Sequence, residues 1–148
     1  MSSPATKKRM RLKFEFRCVS DQREVGSVEA FLQKVNKRLK LDDGTLYRLL
    51  VASTEAVNNA ILHGNKSDPQ KYVLLTVVRT SNALSVQVRD EGKGFDPSSL
   101  PNPIAEENLL KDSGRGIFLI RQMMDEVQFA PLKTGWMIEM KVNLKRLG

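Results

Sequence analysis

The apolar residues of this chain change period several times, and those changes constrain its fold more than any other feature of the sequence. Met10, Leu12, Phe14, Phe16 and Cys18 alternate with Arg11, Lys13, Glu15 and Arg17, the period-two pattern of a half-buried strand. Val28, Phe31, Leu32, Val35 and Leu39 then recur at helical spacing, with Ser27 in position to cap them. A second helix is expected from Thr45 to His63, stopped by Gly64, with Leu46, Leu50, Ser53, Val57, Ala60 and Ile61 as its apolar stripe. Tyr72–Arg79 and Leu84–Arg89 read as strands joined by the turn Thr80-Ser81-Asn82-Ala83. From Glu91 to Ser113 the chain is loop-like and carries Pro97, Pro101 and Pro103, a length that suits a functional lid better than a passive link. A short helix at Ile117–Met124 and strands at Val127–Leu132 and Trp136–Leu144 complete the order β-α-α-β-β-loop-α-β-β. That order predicts an α+β fold: a single-layer, mostly antiparallel sheet covered on one face by helices.

Composition narrows the function classes. A chain of 148 residues suits one domain, expected over residues 10–148 behind a flexible basic tail at 1–9. One cysteine, Cys18, excludes a disulfide framework or a cysteine-rich zinc site, and one histidine, His63, excludes a His-rich metal centre. No apolar run nears the roughly 18 residues of a membrane span, and the N-terminus lacks the apolar core of a secretory signal. A reduced, cytoplasmic setting follows. The formal charge of +7 would suit an anionic partner. Much of the excess lies at the two ends, however, and no aromatic-interleaved basic stripe is present for stacking bases, so direct nucleic-acid binding is not expected.

Three motifs carry chemistry. Glu55, Asn59 and His63 fall at i, i+4 and i+8 on the second helix, away from its apolar stripe. Asn58 and Asn59 are poor helix formers, so their place in mid-helix costs stability unless they have a task. Asp90-Glu91-Gly92-Lys93-Gly94 follows a strand directly, where a carboxylate can accept from a ligand while glycines let the backbone approach it. A calcium loop starting at Asp90 fails, because its twelfth position is Pro101 rather than a bidentate Glu. Ser113-Gly114-Arg115-Gly116 opens the short helix, leaving N-terminal amides to hold an anion such as phosphate. Its glycines match neither the dinucleotide fingerprint nor a Walker loop.

In this order the three motifs match the N, G1 and G2 boxes, and the chain resembles the GHKL ATP-binding superfamily of gyrase, heat-shock chaperone, histidine kinase and MutL. Within it, TEAVNNAILHGN, VRDEGKGFDP and SGRGIFLIRQMMDEVQF are similar to the anti-sigma-factor serine/threonine kinases. Thr54 rather than His stands before Glu55, and no phosphoacceptor helix or transducer domain is expected, which sets the chain apart from sensor kinases and gyrase-like members. The resemblance implies a Bergerat-type sandwich that binds ATP and Mg²⁺. It makes Glu55 the general base and Asn59 the Mg²⁺ ligand, and gives Asp90 the adenine amino group. Gly92 and Gly94 would then border the base, Gly114, Arg115 and Gly116 the phosphates, and 95–113 would be the ATP lid. It further implies a homodimer that phosphorylates a STAS-type anti-anti-sigma protein and sequesters a sigma factor. Two alternatives stay open: a nucleotide-gated binding module without phosphotransfer, and a related kinase that binds no sigma factor. The family usually has Gly then Thr entering the last strand. Here Lys133-Thr134-Gly135-Trp136 departs from that pattern, which leaves the Thr contact open and makes Trp136 a packing residue. His63 fits helix-end packing better than catalysis.

Overall fold

In the computed structural model, described over residues 11–92 and 114–144, the alternating apolar segments pair into one five-stranded antiparallel sheet. Its strands are β1 (Arg11–Val19), β2 (Tyr72–Thr80), β3 (Ala83–Arg89), β4 (Glu126–Pro131) and β5 (Trp136–Asn143), in the order β1-β2-β3-β5-β4. The register explains why alternation was so informative. Phe16, Leu75, Val88, Ile138 and Phe129 form one rung across all five strands, and Phe14, Val77, Val86, Met140 and Val127 the next. A single-residue slip in any strand would turn its apolar set to the other face.

Three helices cover that face: α1 (Val25–Leu39), α2 (Asp43–Asn59) and α3 (Gly114–Met123). The expected α+β architecture and its element order are therefore what the chain adopts. α1 buries Val28, Leu32, Val35 and Leu39 against the sheet. Its entry differs from the expected one. Ser27 lies inside the helix, and the cap is Asp21, whose carboxylate accepts from the Arg23 N–H at the head of a 3₁₀ turn over Gln22–Glu24 that runs into α1. An acceptor four residues before the apolar run captures the chain first. α1 ends at Lys40, whose left-handed backbone (φ 53°) returns its N–H to the Asn36 carbonyl, while the Asn36 side chain accepts from the Leu41 N–H. Arg79, on the helix-facing side of β2, donates to the Leu39 carbonyl.

α2 starts two residues earlier than expected, because Asp42 accepts from the Thr45 N–H at 2.7 Å. Its buried face is also rotated. Leu49, Ala52, Ser53, Ala56 and Val57 are buried, whereas Leu46 and Leu50 are only half-buried. The small Ala52 and Ala56 bring α2 close to its neighbours, and bulk moves to the flank. α2 then widens into a π turn over Ala60–Gly64, closed by the Asn65 N–H on the Ala60 carbonyl at 2.8 Å. Such turns are rare and gather at functional sites. Cys18 is buried on β1; desolvation, with the Glu24 carboxylate adding to it, pushes its thiol up to about 11. That keeps the sulfur protonated and removes it as a nucleophile. Among the described residues no helix is long and apolar enough to cross a membrane.

Candidate functional site

The second half of α2, the end of β3 and the start of α3 converge at one end of the molecule, where two groups of side chains form. The first centres on Glu55 and Asn59, both half-buried. Neither makes a side-chain hydrogen bond to any described residue, so among those residues a carboxylate and a carboxamide stand together with their polar atoms unpaired. α3 lies against them at Gly116. A Cβ built there would fall 2.9 Å from Glu55 Oε2 and 3.2 Å from Asn59 Nδ2, so only glycine lets the helix approach this closely. Gly114, Arg115 and Gly116 form the first turn of α3. Its positive dipole end therefore lies beside a carboxylate and a hard oxygen donor.

α3 is fixed from its other end. Arg48 on α2 donates from Nε to the Met123 carbonyl at 2.6 Å and from Nη2 to Asp125 at 3.1 Å. Asp125 in turn accepts the Asn143 N–H from β5. A cation at the C-terminus of a helix suits the dipole. One arginine thus ties α2, α3 and the sheet edge together.

The second group centres on Asp90, which is 9% exposed at the end of the central strand β3. Its Oδ1 accepts from the Gly92 N–H at 3.0 Å and the Trp136 N–H at 3.1 Å, and its own N–H donates to the Trp136 carbonyl. Oδ2 accepts nothing from the described residues. Burial raises the carboxyl above the usual Asp range, and the two amides and the more distant Lys71 only partly oppose that. The backbone presses in around it. Gly64 packs on the Asp90 carboxylate, and Gly135 (φ +104°) lies over the Asp90 carbonyl, where an added Cβ would collide. A buried acceptor with one unused oxygen, walled by backbone without side chains, can take a donor from a flat ligand edge.

The expected site residues thus resolve into two clusters that share α2. Glu55, Asn59 and Gly116 meet in one, and Asp90 and Gly92 in the other. His63 is exposed in the π turn, outside both, and makes no bond to a described residue. Gly94 and the 95–113 lid lie outside the described residues, as does the 1–9 tail. Gly135 immediately precedes β5, which begins at Trp136. Trp136 meets Asp90 through its backbone, which any residue could supply.

Sequence reasoning passed over Asn65, which is fully buried beside Asp90, and over the packing of Gly64 and Gly135 on that residue. The Gly64-Asn65 pair closing a helix was the available signal. Among the described residues no three His, Cys, Asp or Glu side chains gather as a metal cluster. A divalent ion at Asn59 would take its remaining ligands from phosphate and water, as Mg²⁺ commonly does.

Comparison with known proteins bears on this arrangement. A family described as the histidine kinase-like ATPase domain matches residues 18–142. An anti-sigma F factor from Geobacillus kaustophilus is 32% identical over 120 residues, covering 80% of each chain. One from Anoxybacillus flavithermus is 29% identical over 123 residues, with 81% of this chain and 82% of the relative covered. One from Heyndrickxia coagulans is 29% identical over 147 residues, covering 93% and 94%.

Proposed function

We propose a function from one premise: the chain belongs to the histidine kinase-like ATPase family. It is a cytoplasmic, ATP-dependent protein serine/threonine kinase of the anti-sigma type, formed by a single domain over residues 10–148. The observation that carries this is the pairing of Glu55 and Asn59, without side-chain partners among the described residues, with the N-terminal turn of α3 set against them at Gly116. The residues fit the nucleotide at both ends. The unused Asp90 Oδ2 suits the adenine amino group, and a guanine carbonyl in its place would face a carboxylate. Asn59 offers an oxygen to Mg²⁺.

When bound, Mg·ATP supplies the phosphoryl group and much of the charge neutralisation that its transfer requires. The chain does the rest. Glu55 takes the proton of the attacking serine or threonine hydroxyl onto its carboxylate. The α3 amides of Gly114, Arg115 and Gly116 face the phosphates, and Asp90 with Gly92 orients the base. The resemblance gives Gly94 to the base and the 95–113 segment to an ATP lid; both lie outside the described residues. The substrate is a STAS-type anti-anti-sigma protein. The second partner is a sigma factor held by a dimer of this chain, a reading supported by relatives that are named anti-sigma F factors.

The test is to incubate the chain with radiolabelled ATP, Mg²⁺ and a STAS protein encoded nearby, and then to map the labelled residue. Label on one serine or threonine of the partner is expected. A wild-type chain that binds this partner under nucleotide control, yet transfers nothing, would instead be a nucleotide-gated switch.

A further inference from the structure

Asn65 is the first residue after the π turn and is fully buried. Its Nδ2 donates to Ser20 Oγ at 2.8 Å and to the Tyr72 carbonyl at 2.9 Å, while Oδ1 accepts the Glu91 N–H at 2.7 Å. Its main chain is equally occupied, giving its N–H to Ala60 and taking that of Asp68. Only one orientation of the carboxamide satisfies these partners, since two of them are acceptors and the third is a donor. The bonds also close a ring. Tyr72 gives its carbonyl to Asn65 and its N–H to the Glu91 carboxylate, and Glu91 gives its own N–H back to Asn65.

The position of that ring makes it more than a brace. Glu91 lies between Asp90 and Gly92, the two residues of the base-facing loop. β5 holds Asp90 on one flank through Trp136. On the other flank Asn65 holds the next amide. Asn65 also ends the helix that carries Glu55 and Asn59, so a single carboxamide ties the phosphate-facing helix to the base-facing loop.

We propose that Asn65 is a positioning residue for nucleotide recognition, holding the Asp90 loop so that its free carboxylate oxygen selects adenine over guanine. The proposal rests on the reading of the site as an adenine-nucleotide pocket. It acts through Asp90 and needs no contact between Asn65 and the ligand. A role confined to stability would lower the melting temperature and leave the preference of the folded protein unchanged.

The experiment measures ADP and GDP affinity by calorimetry on the full chain, with thermal unfolding recorded for each variant. The wild type should prefer ADP. Asn65→Ala should lose about tenfold of that preference, the scale of one hydrogen bond withdrawn from the loop. Ser20→Ala removes an Asn65 partner while leaving Glu91 alone; it should lower the melting temperature and keep the preference within about threefold. Asn65→Asp retains an oxygen for the Glu91 amide and should restore the preference at reduced stability. If Asn65→Ala does not fold, Asn65→Ser takes its place, because its shorter hydroxyl stops short of Glu91 and should lose the preference equally. A folded Asn65→Ala or Asn65→Ser protein with wild-type preference overturns the proposal. A wild type that binds both nucleotides alike overturns the adenine reading itself, and this inference with it.

Discussion

Helices α1 and α2 lie on the same face of the same sheet, yet they use polar residues in opposite ways. In α1 the polar groups serve the helix: Asn36 satisfies the Leu41 amide, Lys40 turns the chain left-handed, and Arg79 caps the last carbonyl. In α2 the acid–amide pair Glu55 and Asn59 has no side-chain partner among the described residues, and the helix ends in a π turn closed by the Asn65 N–H. The glycines divide similarly. Gly26 in α1 has open space around it, whereas Gly64, Gly92 and Gly135 are pressed against Asp90 or one another. Residues that satisfy their neighbours build the fold. Those without a partner among the described residues are the ones the proposed function uses.

The sharpest way to break this comparison is Glu55→Gln. The amide keeps the size and loses the base, so phosphotransfer should fall by about 10²–10⁴-fold, or about 2.7–5.5 kcal/mol of barrier, with ATP binding intact. Stopped-time transfer assays beside calorimetry check it, and a wild-type rate would remove Glu55 as the base. Gly135→Ala comes next. A side chain at φ +104° over the Asp90 carbonyl should cost about 1–3 kcal/mol in urea unfolding and weaken ADP binding as well. In contrast, Gly26→Ala should gain roughly 0.5–1 kcal/mol and leave nucleotide affinity alone. Equal effects at the two glycines would show that the contrast between the α1 region and the site region is misplaced.

The smallest effect concerns pH. Burial raises the folded Asp90 carboxyl above its unfolded value. Below the unfolded value both states are protonated and no cost arises; as pH rises through the folded value, the ionised carboxylate weakens the native state. Asp90→Asn should therefore gain on the wild type in melting temperature as pH rises from the usual Asp range through the raised folded value. A flat difference would mean that Asp90 is not held in a desolvated place.

Much of this was legible in the sequence, and the reasons are local. Strand alternation and helical spacing survive in the sequence because one face of each element is buried, so the element order was correct. Glu55, Asn59 and Asp90 stood out because an asparagine in mid-helix and a carboxylate before glycines are costly unless used. In the apolar stripe of α2, Ser53, Val57, Ala60 and Ile61 are buried as expected, whereas Leu46 and Leu50 give way to Leu49, Ala52 and Ala56, because large leucines outweigh alanines in a sequence and close packing favours the alanines. Ser27 looked like a cap because the 3₁₀ turn that displaces it leaves no periodic trace. The role of Asn65 was hidden for a different reason: its partners Ser20, Tyr72 and Glu91 lie 45, 7 and 26 positions away, and only the closed fold brings them to it.

Asp90 ends β3, the middle strand of five, with hydrogen-bonded neighbours on both sides. Edge strands and helix ends can fray, but a middle strand exchanges its amide hydrogens only when much of the sheet opens. The half of the pocket proposed to recognise the base therefore exists before any nucleotide arrives and lasts as long as the fold. The half proposed to hold the phosphates depends on how α3 rests on Arg48 and, at Gly116, on Glu55 and Asn59. Amide exchange should show this asymmetry: added ADP should slow exchange far more in α3 than in β3, whose amides are already protected by the sheet.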